Sequence, residues 1–203
     1  MKIGQRIFRV PSPDTVDLSL IFRVALIAVL LAIYAITFMF LFEGAMGPAN
    51  MGPAKWISGG LLGAALIALS GFDIAEWRLP DVLTLPLAVV GVVLAWPLSA
   101  EALLAATGSA ALGFLVLYAV ARAFERSRGY PGLGLGDAKL FAAAGAWVGA
   151  AALPMVLLVA SVLALAVAGI AYLMGLQVDR RTRLPFGPFL AYGIWVVWLT
   201  GLQ

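Results

Sequence analysis

Long uncharged stretches divide the chain into candidate membrane spans. Each is close to the roughly 20 residues that a helix needs to cross about 30 Å of hydrocarbon. Five such stretches are Val24–Phe42, Trp56–Phe72, Val82–Ala100, Ala102–Ala121 and Leu184–Gln203. We expect each of them to form one transmembrane helix.

The longest uncharged stretch, Leu140–Val178, is too long for a single crossing. Its 39 residues would form a helix of roughly 58 Å at about 1.5 Å per residue. We therefore expect it to fold back around Gly149–Pro154. The pattern then predicts seven spans in an all-α, polytopic membrane protein. The first span is too long for the apolar part of a signal peptide, so we interpret it as an uncleaved anchor.

The basic residues predict the orientation of these spans. If the N-terminus is cytoplasmic and the spans alternate, twelve of the thirteen Lys and Arg residues lie inside, and only Lys55 lies outside. The C-terminus is then outside. Three polar segments lie at the inner face: Asp73–Asp81, Glu125–Lys139 and Gln177–Pro188.

The composition agrees with a membrane protein and excludes several chemistries. The chain is 64% hydrophobic and 11% charged, with a mean hydropathy of +1.06, whereas soluble domains are about 25% charged. It has no cysteine and no histidine. Thiolate catalysis, a Ser-His triad, disulfides and most zinc sites are therefore excluded.

Two aspartates stand out because they lie at the ends of predicted spans. Asp73 ends the second span and Asp137 opens the fifth, and ionisable residues at such depth are functional candidates. Gly132, Gly134 and Gly136 precede the second aspartate. We expect these glycines to allow close helix approach and conformations closed to other residues. The helix would then begin at Asp137, as the N-cap or a first-turn residue.

Non-catalytic roles remain open for these carboxylates. Asp137 could act only as an N-cap, and Asp73 could be an interfacial residue paired with Arg78. Asp81, which follows Pro80, is typical of a helix-start carboxylate. The basic residues of this face are Arg78, Lys139 and Arg180–Arg183. We interpret them as determinants of the membrane orientation.

A carboxylate pair is the hydrolytic chemistry that this composition leaves. Two aspartates that share one proton can activate a water with the ionised member, while the protonated member donates to the substrate carbonyl. Because like charges at close range do not ionise together, the singly protonated pair persists over a useful pH range.

Three segments in order resemble one protein family. The segment GLGLGDAKLFAAAGAWVG (Gly132–Gly149) resembles the GxGD segment of type IV prepilin peptidases. The segment DIAEWRLPDVLTLPL (Asp73–Leu87) is similar to their other signature, and RLPFGPFLAYG (Arg183–Gly193) to their closing Pro-Phe-Gly-Pro element. The resemblance covers about Trp56 to Gln203.

This resemblance implies a catalytic pair, Asp73 and Asp137, in a six-span core at residues 56–203. Residues 1–55 would supply a cytoplasmic tail, the anchor and an outer loop. The site-shaping residues would be Gly134, Gly136, Lys139, Pro80, Asp81, Pro185, Gly187 and Pro188.

The same resemblance implies an aspartyl endopeptidase of the bacterial inner membrane, with its site at the cytoplasmic border. The substrate would be a type IV prepilin or a type II secretion pseudopilin, from which a short basic leader is removed. We expect no metal, no cofactor and no nucleic-acid partner. Bifunctional members carry a cytoplasmic insertion with paired Cys motifs, which is absent before Trp56, so we expect cleavage without N-methylation.

Other classes of function compete with this interpretation. The presenilin and signal-peptide-peptidase group shares GxGD but pairs it with Tyr-Asp and Pro-Ala-Leu motifs, whereas Phe72 precedes Asp73 in this chain. A small proton-coupled transporter would use the same aspartates, although transporters place such sites near the midplane. A non-catalytic assembly subunit is the third alternative.

Overall fold

The structure, a computed structural model, describes residues 32, 34–37, 53–95, 97–129, 133–173 and 185–201. From residue 53 onwards the described residues form six α-helices and one 3₁₀ turn, Ala150–Ala152, and no strand. The helices are α1 (Pro53–Glu76), α2 (Asp81–Ala95), α3 (Ala100–Arg128), α4 (Leu135–Val148), α5 (Leu153–Leu173) and α6 (Gly187–Thr200).

The predicted class, an all-α polytopic membrane protein, is confirmed. Three helical segments in the described part are long and apolar enough to cross a membrane: Ile57–Glu76, Ala100–Arg128 and Ala150–Leu173. The helices α2 and α6 are apolar but shorter. Most of the first predicted span, Val24–Phe42, lies outside the described residues, so the count of seven spans stays a prediction.

The long uncharged stretch breaks where the sequence predicts. Gly149 ends α4 with φ 80°, a left-handed conformation that favours glycine. The 3₁₀ turn follows, and α5 begins at Leu153 with Pro154 in its first turn, where a missing N–H costs no helical hydrogen bond. The fold-back around Gly149–Pro154 is confirmed.

Several predicted boundaries are wrong by a few residues. The span expected at Val82–Ala100 is helical only to Ala95. Ser99 then caps α3 by accepting a hydrogen bond of 3.0 Å from the N–H of Ala102. The helix α3 continues to Arg128, so the predicted polar segment from Glu125 begins as helix. Uncharged length alone does not locate these ends, because caps and turns set them.

The helices α4 and α6 form the centre of the molecule. Most of their side chains are buried, while α3 and α5 bury only four residues each and expose many large apolar side chains, as helices facing lipid do. The helices α3 and α4 pack in antiparallel directions with little space between their backbones. A Cβ atom on Gly113 would meet the carbonyl of Phe141, and one on Gly145 would meet that of Ser109.

The helices α1 and α6 also pack in antiparallel directions. Gly59, near the start of α1, leaves room for Trp198 near the end of α6, where a Cβ atom would lie 2.5 Å from its ring. At the other end, Asp73 of α1 contacts Gly187, the first residue of α6.

The helices α2 and α4 are parallel. Lys139 in the first turns of α4 pairs with Asp81 at the start of α2, and the indole N–H of Trp147 donates to the carbonyl of Leu87 at 2.8 Å. Consequently α2, α4 and α6 all begin at the end of the molecule where α1 and α3 finish. We call this the site end.

The described residues of the first predicted span pack on α6. Tyr34 is buried with its ring 5.3 Å from that of Tyr192 and 6.1 Å from that of Trp195. The hydroxyl groups of Thr37 and Tyr192 share a hydrogen bond of 2.6 Å. Tyr34 and Thr37 are therefore part of the packed structure.

Candidate active site

Asp73 lies in the last turn of α1 and faces the start of α6. Only 7% of it is exposed, and its Oδ2 accepts a hydrogen bond of 3.0 Å from the backbone N–H of Gly187. Among the described residues no ion pair joins Asp73 to Arg78, and Arg78 is exposed. The alternative of an interfacial Asp73–Arg78 pair is therefore wrong.

The start of α6 is shaped to receive the Asp73 carboxylate. A Cβ atom on Gly187 would lie 2.7 Å from Asp73 Oδ2, so only glycine lets its N–H reach the carboxylate. Pro188 follows within the first turn, and Pro185 precedes the helix and is buried. The free N–H groups and dipole of a helix N-terminus favour a negative charge at this point.

Asp137 lies in the first turn of α4, the third helical residue. It is 8% exposed, and its Oδ2 accepts a hydrogen bond of 3.1 Å from the backbone N–H of Gly134, the N-cap. The helix begins at Leu135, so of the two predicted positions the first-turn one is confirmed and the N-cap one is wrong. Asp137 nevertheless reaches back to the cap, which satisfies one helix-terminal donor.

The two carboxylates come together at the site end. The charge of Asp73 acts on the carboxyl group of Asp137, and the described residues place no lysine or arginine in an ion pair with either. Each is held by one backbone N–H at a helix start. Two buried carboxylates at the same end of a bundle repel each other when both are ionised.

Of the glycines before Asp137, Gly136 acts by close approach. A Cβ atom on Gly136 would lie 2.9 Å from the Cβ of Leu79, so glycine is needed for α4 to contact the connection between α1 and α2. The expectation of special conformations is wrong for Gly134, whose φ is −76° and ψ 148°, and for Gly136, which does not have a positive φ. Gly132 lies outside the described residues.

One contact in the site is absent from the sequence-based predictions, an ion pair between Asp81 and Lys139. Lys139 Nζ lies 2.6 Å from Asp81 Oδ1 and 2.7 Å from Oδ2. Asp81 is the first residue of α2, as predicted for a helix-start carboxylate, and the carbonyl of Pro80 accepts from the N–H of Leu83 at 3.0 Å. The sequence places opposite charges at the starts of two predicted spans on the same face, and this pattern could have indicated the ion pair.

Metal ligation has no candidate cluster in the described part of the chain. No three His, Cys, Asp or Glu side chains among these residues are grouped as ligands would be. The predicted cluster Arg180–Arg183 lies outside the described residues.

The sequence pattern of the type IV leader peptidase family matches residues 60–169. This range covers more than half of the chain and includes both Asp73 and Asp137. The chain belongs to this family.

Curated relatives agree with the family. A prepilin leader peptidase/N-methyltransferase of Burkholderia pseudomallei is 45% identical over 131 residues, 64% of this chain and 42% of the relative. Proteins of the same name in Xanthomonas campestris and Stutzerimonas stutzeri are each 39% identical, over 141 and 152 residues. These alignments cover 70% and 73% of this chain, and 49% and 52% of those relatives.

The chain thus spans about half the length of the curated relatives that it matches. No solved structure matches it.

Proposed function

We propose that this protein is an aspartyl endopeptidase that removes the leader from type IV prepilins or related pseudopilins. The observation that carries this proposal is the convergence of Asp73 and Asp137, both buried and each bound by a backbone N–H, at one end of an apolar helix bundle. The family and the names of the relatives supply the substrate class.

In the reaction, the ionised carboxylate of the pair removes a proton from a water molecule, which attacks the carbonyl carbon of the scissile peptide bond. The protonated carboxylic acid donates a hydrogen bond and then its proton to the carbonyl oxygen. Collapse of the tetrahedral intermediate breaks the C–N bond, and the amine leaves with a proton from the pair. General acid–base help of this kind contributes about 10²- to 10⁴-fold in rate.

The place of the pair suits a substrate that is itself a membrane helix. The carboxylates lie at the ends of helices whose outer surfaces are apolar. A hydrophobic substrate helix therefore stays in the bilayer while its polar leader reaches the site end. We propose that this end faces the cytoplasm, in agreement with the distribution of basic residues.

Cleavage by the purified protein tests the proposal. A prepilin with a basic leader is incubated with the protein in detergent, and the product is measured by mass spectrometry. We expect loss of the leader as a single N-terminal fragment. An intact substrate after prolonged incubation, with a correctly folded protein, would refute the proposal, since a transporter or an assembly subunit leaves the substrate uncut.

Methylation is a separate question for the same assay. The relatives' names join the peptidase to an N-methyltransferase, whereas the sequence predicts cleavage only, and this stays a prediction. With S-adenosylmethionine present, we expect the mass of the new N-terminus to lack a methyl group.

A further inference from the structure

The ion pair between Asp81 and Lys139 joins the two helices that begin beside the candidate catalytic aspartates. The ammonium group contacts both carboxylate oxygens, at 2.6 and 2.7 Å, across 58 positions of sequence. Lys139 follows Asp137 by two residues on α4. Asp81 opens α2, which a connection of four residues, 77–80, joins to the end of α1 just after Asp73.

The Asp81–Lys139 ion pair therefore affects the distance between the two candidate catalytic aspartates. At the site end the first turn of α4 rests on the connection after α1, with Gly136 against Leu79. This contact prevents α4 from moving inward, and the ion pair prevents it from moving away. Near the other end of α4, the hydrogen bond from Trp147 to the carbonyl of Leu87, in the middle of α2, provides the polar contact.

Stability alone does not explain the pair. The side chains of Lys139 and Asp81 are 29% and 55% exposed, and an ion pair of this exposure adds little to the stability of a fold. Its bidentate geometry between two helices instead restricts where α4 begins. A misplacement of 1 Å in an active site can cost on the order of 100-fold in rate.

We propose that Asp81 and Lys139 are positioning residues, which hold Asp137 within reach of Asp73. This inference rests on the proposed peptidase function. Neither side chain enters the reaction, because each is satisfied by the other. Loss of the pair should lower turnover while leaving substrate binding unchanged.

The first test is kinetic. Asp81→Asn and Lys139→Gln each remove one charge and keep the size of the side chain. We expect each to lower kcat by about tenfold or more, since misplacement acts on the chemical step, with KM unchanged. The double variant should be no worse than either single one. The reversed pair, Asp81→Lys with Lys139→Asp, should recover part of the lost kcat.

The matched control is the exposed ion pair between Arg122 and Glu125 on α3, whose N–O distance is 3.0 Å. Glu125→Gln removes an ion pair that lies within one helix and joins no two helices, so it should leave kcat unchanged. A wild-type kcat in either Asp81→Asn or Lys139→Gln would overturn the inference. So would a reversed pair that recovers nothing.

The second test measures the geometry without substrate. The chain has no cysteine, so spin labels at Glu76→Cys and Leu135→Cys report the distance from the end of α1 to the start of α4. We expect a broader or longer distance distribution after Asp81→Asn. An unchanged distribution would overturn the positioning role. If the unaltered protein cuts no prepilin, the proposed function fails. The distance measurement still tests whether the ion pair positions α4.

Discussion

At the residue scale, the site places two carboxylates at the border of an apolar helix bundle. A buried charge is costly unless it is hydrogen-bonded. Asp73 uses the first N–H of α6, and Asp137 uses the N–H that precedes its own helix. Helix N-termini also favour negative charge. Backbone N–H donors do not titrate, so they can hold both carboxylates at any pH.

Gly187 offers a residue-scale prediction. In Gly187→Ala, the added Cβ would lie 2.7 Å from Asp73 Oδ2, so the carboxylate must turn away from its donor. We expect cleavage to fall by about 100-fold, as for a misplacement of about 1 Å. Gly60→Ala is the matched control, because a Cβ atom there meets nothing within 4 Å. Equal activity of the two variants would refute the role of Gly187.

At the element scale, small residues decide how closely the helices pack. Gly59 and Gly63 of α1 leave room for Trp198 and Trp195 of α6. Within a membrane, such contacts replace the hydrophobic drive that folds soluble proteins. The central α4 is held in this way between α3 and α2.

Two glycines of α3 provide the element-scale prediction. In Gly113→Ala, the Cβ would meet the backbone carbonyl of Phe141, which cannot move without shifting α4. We expect a loss of about 1–3 kcal/mol, as for other overpacked sites, and a lower thermal unfolding midpoint in detergent. Gly108→Ala, with open space around its Cβ, should gain up to about 1 kcal/mol from helix propensity. A Gly113→Ala variant as stable as Gly108→Ala would contradict the close α3–α4 contact.

At the scale of the whole molecule, the alternation of helix directions brings the starts of α2, α4 and α6 to the end where α1 and α3 finish. The orientation of that end stays a prediction. Leu98, between α2 and α3, and Ser127, near the end of α3, are exposed at opposite ends. In intact cells, an impermeant thiol reagent should label Leu98→Cys and leave Ser127→Cys unlabelled. The reverse pattern would place the aspartates on the outer face.

For the described residues, the sequence predicts the apolar helical segments better than the local geometry. Apolar length and one glycine–proline segment indicate the spans and the break at Gly149, because the bilayer imposes length and polarity. The aspartates are found because charges are rare in such a chain. The ion pair of Asp81 with Lys139 depends on which helices are neighbours. The start of α4 at Leu135 depends on a backbone cap. Neither is encoded in local polarity.

The central claim is that Asp73 and Asp137 act as one unit, and leader removal by aspartate-to-asparagine variants tests it most directly. Asp73→Asn and Asp137→Asn each keep size but prevent the singly ionised pair. We expect each to lower cleavage by on the order of 100- to 10,000-fold, and the double variant to be no worse, because residues that act together do not lose activity additively. Glu76→Gln changes an exposed carboxylate one turn from Asp73 and should cleave normally. Full cleavage by either single aspartate variant would contradict the claim.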